Sequence, residues 1–86
     1  MHFDRRLFPP ACDAGYPLVR RGSIGVYVCI LQDALNILIG AGLAIDGIFG
    51  VATTDAVEFY QATRGLYADG IVGCVTWQSV TRAVLG

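Results

Sequence analysis

Residues 42–57, GLAIDGIFGVATTDAV, recur downstream at residues 65–80 as GLYADGIVGCVTWQSV. A fainter third copy lies upstream, where RGSIGVYV keeps the glycine spacing in residues 21–28. An internal repeat determines architecture, because every copy is expected to fold as the same unit. Here the unit predicts a glycine-containing turn that leads into a helix, used three times. The two clear copies are identical at 8 of their 16 positions: Gly42/Gly65, Leu43/Leu66, Asp46/Asp69, Gly47/Gly70, Ile48/Ile71, Gly50/Gly73, Thr53/Thr76 and Val57/Val80.

The composition is unusually apolar for a chain of this length. Of its 86 residues 55% are apolar and 15% are charged, whereas ordinary soluble domains hold about 45–50% and about 25%. A single domain of this size has only a small core. The excess predicts that some apolar side chains remain on the surface, where they would contact other protein subunits or a second copy of the chain.

Charge and motifs exclude several classes of function. A net charge of −1 lacks the basic surface that nucleic-acid binding requires, and no apolar run reaches the ~20 residues of a membrane span. His2 is the only histidine, and no nucleophile stands at motif spacing from a base. We therefore expect no enzyme, no cofactor and no metal site. The amino-terminal stretch MHFDRRLFPPACDAG also lacks the apolar segment of a signal peptide.

The three cysteines, Cys12, Cys29 and Cys74, match no established pattern. Their odd number argues against a disulfide framework, and the absence of C-x-x-C argues against a zinc site. Free thiols are the simplest interpretation, and a single bridge that involves Cys12 is the alternative.

Apolar spacing predicts three helices, at about residues 26–39, 51–64 and 74–85, with no significant sheet. The fold class is therefore all-α, a compact three-helix bundle built from loop–helix repeats over residues 18–86. Residues 1–17 contain all three prolines and no periodicity, which predicts an extended amino-terminal arm. Val84 is assigned to the inner face of the third helix. The other predicted core residues are Val28, Leu31, Leu35, Leu38, Ala56, Val57, Tyr60, Leu66, Trp77 and Val80.

The repeated loops predict specific turn chemistry. In each Asp-Gly pair the aspartate can accept a hydrogen bond from the backbone ahead of it, and the glycine supplies a positive φ. Two carboxylates could also perform acid–base catalysis, but their equivalent places in two copies favour the structural role. Gln32 and Gln61 occupy matching places and are expected to bond to loop backbone. The glycines assigned to turns and helix N-caps are Gly25, Gly47, Gly50, Gly70 and Gly73.

The whole pattern resembles the peptidoglycan-binding type 1 domain, a three-helix module appended to bacterial and phage cell-wall hydrolases. The resemblance rests on L-x-x-R-G-S-x-G-x-x-V-x-x-L-Q-x-x-L-N, then D-G-I-F-G-x-x-T, then G-L-x-x-D-G-I-V-G-x-x-T-W, and covers residues 18–82. It implies a non-catalytic module that attaches to bacterial peptidoglycan. It also implies a location in the cell wall or an extracellular particle, after synthesis in the cytoplasm.

A second hypothesis keeps the fold and changes the partner. The chain begins with methionine and shows neither a signal peptide nor a catalytic domain, which favours a stand-alone component. Such a component could be a structural subunit of a phage tail, a tail-like particle or a cell-envelope assembly.

Candidate ligand-binding residues lie in the loops, where side chains are free to contact a ligand. Aromatic rings can stack on sugars, and arginine can bind carboxylates in a bidentate manner. Trp77 could also stack on a sugar, although its place on the apolar face of the third helix favours the core. The candidates are Phe49, Arg64, Tyr67, Asp46 and Asp69.

An apolar stripe is predicted on the outer side of the first helix, where a surface helix is normally polar. It consists of Val26, Ile30 and Ile37, and Phe59 on the second helix is a similar excess. One explanation is that residues 1–17 fold back and cover the stripe with Phe3, Leu7 and Phe8. The other is a docking face for another protein or a second copy.

Overall fold

The computed structural model describes residues 15–86. It contains three helices, α1 (Val26–Ile39), α2 (Val51–Thr63) and α3 (Cys74–Leu85). Within those residues the only strand-like pairing is two isolated antiparallel bridges, Val19 with Val72 and Ile24 with Ile48. The all-α prediction is confirmed, and the predicted helix bounds agree except that α2 ends at Thr63 rather than Arg64. No helix in the described part is long and apolar enough to cross a membrane.

The end of α1 determines the course of the long loop that follows. Gly40 adopts a left-handed conformation, with φ 61°, and its N–H bonds back to the carbonyl of Asn36. The Asn36 side chain then holds the loop at Leu43, because its Nδ2 donates to the Leu43 carbonyl at 2.9 Å and its Oδ1 accepts from the Leu43 N–H at 2.7 Å. This clamp folds residues 40–45 back beside the last turn of α1.

The core lies between the three helices and the loops that precede them. Seven predicted core residues are buried, and the predicted Leu38, Ala56 and Leu66 are half-buried against them. Val84 was wrongly assigned to the core: it lies in the last turn of α3, lines an open pocket beside Leu85, and is 44% exposed. Among residues 15–86 the buried apolar residues are Val19, Val28, Leu31, Ala34, Leu35, Phe49, Val57, Tyr60, Val72, Trp77 and Val80.

Trp77 is fully buried and ties the start of the described chain to α3. Its indole Nε1 donates to the carbonyl of Pro17 at 2.7 Å, and the Tyr16 ring packs edge-on against it at 4.6 Å between centroids. Residues just after the predicted arm are held as well, because Val19 and Val72 exchange backbone hydrogen bonds of 3.1 and 2.9 Å. Trp77 is therefore a core residue and has no free face for a sugar.

The cysteines differ from one another. Cys29 is a half-buried free thiol, as predicted, but Cys74 is disulfide-bonded, so the prediction of a free thiol there is wrong. Pairing depends on which sulfurs the fold brings together, and sequence spacing does not contain that information. Cys12 lies outside the described residues, as do Phe3, Leu7 and Phe8.

Candidate functional site

A buried glutamine organises the loop between α1 and α2. The Nε2 of Gln32 lies 3.0 Å from Asp46 Oδ1, 3.0 Å from the Ile48 carbonyl and 3.1 Å from Thr53 Oγ1. Its Oε1 accepts from the Gly47 N–H at 3.0 Å. One side chain thus joins α1, the Asp-Gly turn and the first turn of α2. We call this arrangement a glutamine clasp.

The same clasp recurs between α2 and α3. The Nε2 of Gln61 lies 3.2 Å from Asp69 Oδ1, 3.0 Å from the Ile71 carbonyl and 3.1 Å from Thr76 Oγ1. Its Oε1 accepts from the Gly70 N–H at 3.0 Å. The predicted bonding of both glutamines to loop backbone is confirmed. The clasps also explain why Asp-Gly and Thr recur at fixed spacing in the sequence repeat.

The two Asp-Gly turns have the predicted conformation. In each, the aspartate Oδ1 accepts from the backbone N–H two residues ahead at 2.9 Å. Gly47 and Gly70 have φ of 74° and 75°, a region that residues with a Cβ rarely adopt. The backbone N–H of Ile48 and the amide of Gln32 hold the pKa of Asp46 below its ordinary value of 3.8. Asp46 is therefore ionised at neutral pH.

An open groove of about 670 Å³ lies between the last turn of α1, the 40–50 loop and the first two turns of α2. We call it the α1–α2 groove. Its walls are mainly apolar, and among residues 15–86 the charged residues that line it are the exposed Asp46 and Asp55. The principal lining side chains are Ile39, Leu43, Asp46, Ile48, Val51, Asp55 and Phe59.

The chemistry of the α1–α2 groove suits a neutral polar ligand with apolar faces. The Phe59 ring is 59% exposed and offers a flat surface for stacking. Asp46 uses only Oδ1 in the clasp, so its Oδ2 can accept from a ligand hydroxyl or amide N–H. Within residues 15–86, no group of three or more His, Cys, Asp or Glu could hold a metal ion.

The five predicted ligand residues do not form one site. Asp46 lines the α1–α2 groove, Tyr67 and Asp69 line a separate pocket of about 330 Å³, and Arg64 lines another of about 350 Å³. The expectation that Phe49 faces solvent is wrong, since its side chain is 1% exposed. Its backbone bonds to the strand-like segment at residues 22–23 at 2.9 and 3.0 Å, and its side chain belongs to the core.

The three residues of the predicted apolar stripe on α1 are exposed. Val26, Ile30 and Ile37 are 65%, 38% and 64% exposed. Ile30 and Ile37 line a small pocket of about 160 Å³ with residues of α3, whereas Phe59 lines the α1–α2 groove. Phe59, which the sequence suggests as a protein contact, is an exposed aromatic side chain in the lining of the groove. Periodicity along α2 could not reveal this, because the groove is completed by the preceding loop.

Comparison with known proteins identifies the family. The family described as "Putative peptidoglycan binding domain" matches residues 25–80, a span that includes both glutamine clasps and the whole α1–α2 groove. The chain belongs to this family.

Similar proteins include enzymes and an isolated domain. The chain is 54% identical over 41 residues to the zinc D-Ala-D-Ala carboxypeptidase of Streptomyces albus G, which covers 48% of this chain and 16% of that protein. The Burkholderia AP3 phage endolysin superimposes with a TM-score of 0.72 and 50% identity, covering 77% of this chain and 25% of that one. The SleB N-terminal domain superimposes with a TM-score of 0.75 and 33% identity, covering 78% of this chain and 92% of that one.

The chain thus spans a minor part of the carboxypeptidase and the endolysin and most of the SleB domain. In those two enzymes the matched segment is only a part of the protein. The likeness therefore concerns a binding-domain fold rather than a complete enzyme.

Proposed function

We propose that this chain is a non-catalytic module that attaches to bacterial peptidoglycan through the α1–α2 groove. The observation that carries the proposal is the groove itself, an open apolar cleft with acidic acceptors, lying wholly inside the span that defines the family. Its volume of about 670 Å³ lies within the ~300–1,000 Å³ typical of small-molecule sites. The proposed place of action is the cell wall.

The groove offers partners for both surfaces of an amino sugar. Sugar rings have apolar C–H faces that stack on aromatic rings, and Phe59 supplies such a ring. Their hydroxyl and acetamido N–H groups are donors, and the carboxylates of Asp46 and Asp55 are acceptors. Hydrogen bonds to charged acceptors are stronger than neutral ones, so these two aspartates would fix the orientation of the glycan.

The alternative of a structural subunit in a phage tail or envelope assembly has less support. Two of the similar proteins, the carboxypeptidase and the endolysin, are enzymes by their names, and neither name describes an assembly subunit. Catalysis is not proposed for this segment. In the carboxypeptidase and the endolysin, most of the protein lies beyond the part that this chain matches.

Co-sedimentation with purified sacculi tests the proposal. We expect the wild-type chain to pellet with sacculi, and Phe59→Ala to weaken binding about ten-fold, the loss typical of a central aromatic contact. The ring is exposed, so the fold should survive the change. Tyr67→Ala is the matched variant, because Tyr67 is 85% exposed and lies in a different pocket.

Two outcomes would contradict the proposal. Absence of sedimentation by the wild type would remove peptidoglycan as the ligand. Weaker binding by Tyr67→Ala together with unchanged binding by Phe59→Ala would move the site from the α1–α2 groove to the loop before α3.

A further inference from the structure

A second pocket, of about 350 Å³, lies where the end of α2 meets one face of α3. Residues 75, 78, 79 and 82 follow this face at helical spacing. In the described part of the chain, two arginines and no acidic residue line the pocket, so its charge is opposite to that of the α1–α2 groove. We call it the basic pocket. Its principal lining residues are Arg64, Leu66, Val75, Gln78, Ser79 and Arg82.

Arg64 is held over the pocket by an aromatic ring. Its guanidinium carbon lies 5.1 Å from the centroid of the Tyr60 ring, within the range of a cation–π contact. Tyr60 is fully buried, and its Oη is hydrogen-bonded to Ser79 Oγ at 2.7 Å. The ring therefore cannot move independently of α3, and it gives Arg64 a fixed support.

Neither arginine has an anionic partner in the chain. Within residues 15–86 the Arg64 guanidinium makes the cation–π contact, and neither guanidinium forms an ion pair with a described residue. Two like charges that line one pocket repel each other, and a bound anion between them removes that repulsion. Arginine is also the side chain best suited to grip a planar oxyanion with two parallel hydrogen bonds.

We propose that the basic pocket binds the free carboxylate of a short peptide with small side chains. The two guanidinium groups would hold the carboxylate. The amide of Gln78, which makes no side-chain hydrogen bond in residues 15–86, would bond to the peptide backbone. Leu66 and Val75 provide aliphatic walls that fit methyl groups. The pocket's volume of about 350 Å³ suits a ligand of dipeptide size.

The biological source of this peptide rests on the proposed function. Peptidoglycan carries peptides that end in carboxylates beside its glycan strands. The acidic α1–α2 groove repels a carboxylate, whereas the basic pocket attracts one. The two sites would therefore bind different parts of the polymer, with the glycan in the groove and a peptide terminus in the basic pocket.

The test is a nuclear magnetic resonance titration of the ¹⁵N-labelled chain with N-acetyl-D-alanyl-D-alanine. We expect saturable shifts of the backbone amides of Gln78, Ser79 and Arg82. The double variant Arg64→Gln/Arg82→Gln should weaken this binding at least about ten-fold, the factor that one charge-assisted hydrogen bond carries. The dipeptide with an amidated carboxyl end should give no saturable shift.

A matched control separates the pocket from net charge. Arg20→Gln/Arg21→Gln makes the same change in charge at two exposed arginines that line no described pocket, and it should bind the dipeptide as the wild type does. Circular dichroism should show unchanged helix content for both double variants. Equal losses in the two variants would show that only overall charge matters and would overturn the inference.

The remaining outcomes are equally decisive. No saturable shift with the dipeptide, or equal shifts with its amide, would refute a carboxylate site. Saturation by inorganic phosphate without any response to the dipeptide would refute the peptide and leave a phosphate site. If sacculi bind through the groove while the dipeptide fails, this inference alone is wrong; if the dipeptide binds while sacculi do not, the proposed function alone is wrong.

Discussion

Replacing Gln32 by leucine should destabilise the domain strongly, although the two side chains are similar in size. Gln32 is 1% exposed, and its Nε2 has two protons to share among the three acceptors at 3.0–3.1 Å. These two protons give about two full hydrogen bonds, and the bond that Oε1 accepts from the Gly47 N–H is the third. Leucine removes all of them and leaves the buried N–H of Gly47 and the hydroxyl of Thr53 without this partner.

The expected loss follows from these bonds. A net contribution of about 0.5–1.5 kcal/mol for each of three bonds predicts a loss of about 1.5–4.5 kcal/mol in the free energy of unfolding. That is a large share of the ~5–15 kcal/mol that a domain has. In a domain of 60–100 residues it corresponds to a fall in Tm of roughly 10 °C or more.

Urea and thermal unfolding followed by circular dichroism at 222 nm measure this loss. Gln61→Leu should cost a similar amount, because the second clasp has equivalent partners at 3.0–3.2 Å. Gln78→Leu is the matched control: its amide forms no side-chain hydrogen bond within residues 15–86, so stability should change by less than about 0.5 kcal/mol. A loss at Gln32 no greater than at Gln78 would refute the structural role of the clasps.

Three further predictions concern the turns, the acid response and the core. Gly70→Ala should cost about 1–2 kcal/mol of unfolding free energy in chemical denaturation, since φ is 75° and a Cβ would lie 3.1 Å from Thr54 Cγ2. Gly73→Ala is the control and should be tolerated, because Gly73 has φ −97° and open space around it. Equal losses in the two variants would contradict the turn assignment. The contribution of Asp46 to stability is present above its ordinary pKa of 3.8 and is lost as the pH falls through its lower folded pKa. Asp46→Asn should therefore flatten this part of the curve of stability against pH. An unchanged curve would refute the assignment of this acid response to the hydrogen bonds of Asp46. Trp77→Ala should cost about 3–5 kcal/mol of unfolding free energy, and a loss below about 1 kcal/mol would show that the burial of Trp77 contributes little.

The helices and the clasps were predictable because each depends on a local pattern. Apolar spacing located α1 and α3 at their observed ends, and the repeat placed Gln32, Asp46 and Gly47 in one recurring arrangement. Positive φ at Gly47 and Gly70 followed from the same Asp-Gly chemistry. Such features involve neighbours in sequence or equivalent positions in two copies.

The loop residues were not predictable, because their burial depends on how the repeats stack. Phe49 and Val72 hold equivalent places between the two glycines of each turn, and both are buried. Exposure was expected for Phe49 because loops usually carry solvent-facing side chains. Comparison of the two copies predicts this burial, since a position that holds an aromatic residue in one copy and an aliphatic residue in the other is typical of a core.

The α1–α2 groove could be identified only from the three-dimensional structure. The loop clamped by Asn36 and Phe59 of α2 line the same groove only because the segment with the Asp46–Gly47 turn sets α2 beside α1. The basic pocket likewise joins Arg64 and Arg82, which stand in different helical units and belong to no common motif. Sequence spacing identifies the residue types, but the fold decides which of them meet.

The most direct test of the groove is a map of backbone amide shifts in the ¹⁵N-labelled chain titrated with soluble, peptide-free glycan fragments of peptidoglycan. The account predicts saturable shifts concentrated at Leu43, Asp46, Val51, Asp55 and Phe59, with no saturable change at Ser79 or Arg82. Shifts centred on Tyr67 and Asp69, or none that saturate, would contradict it.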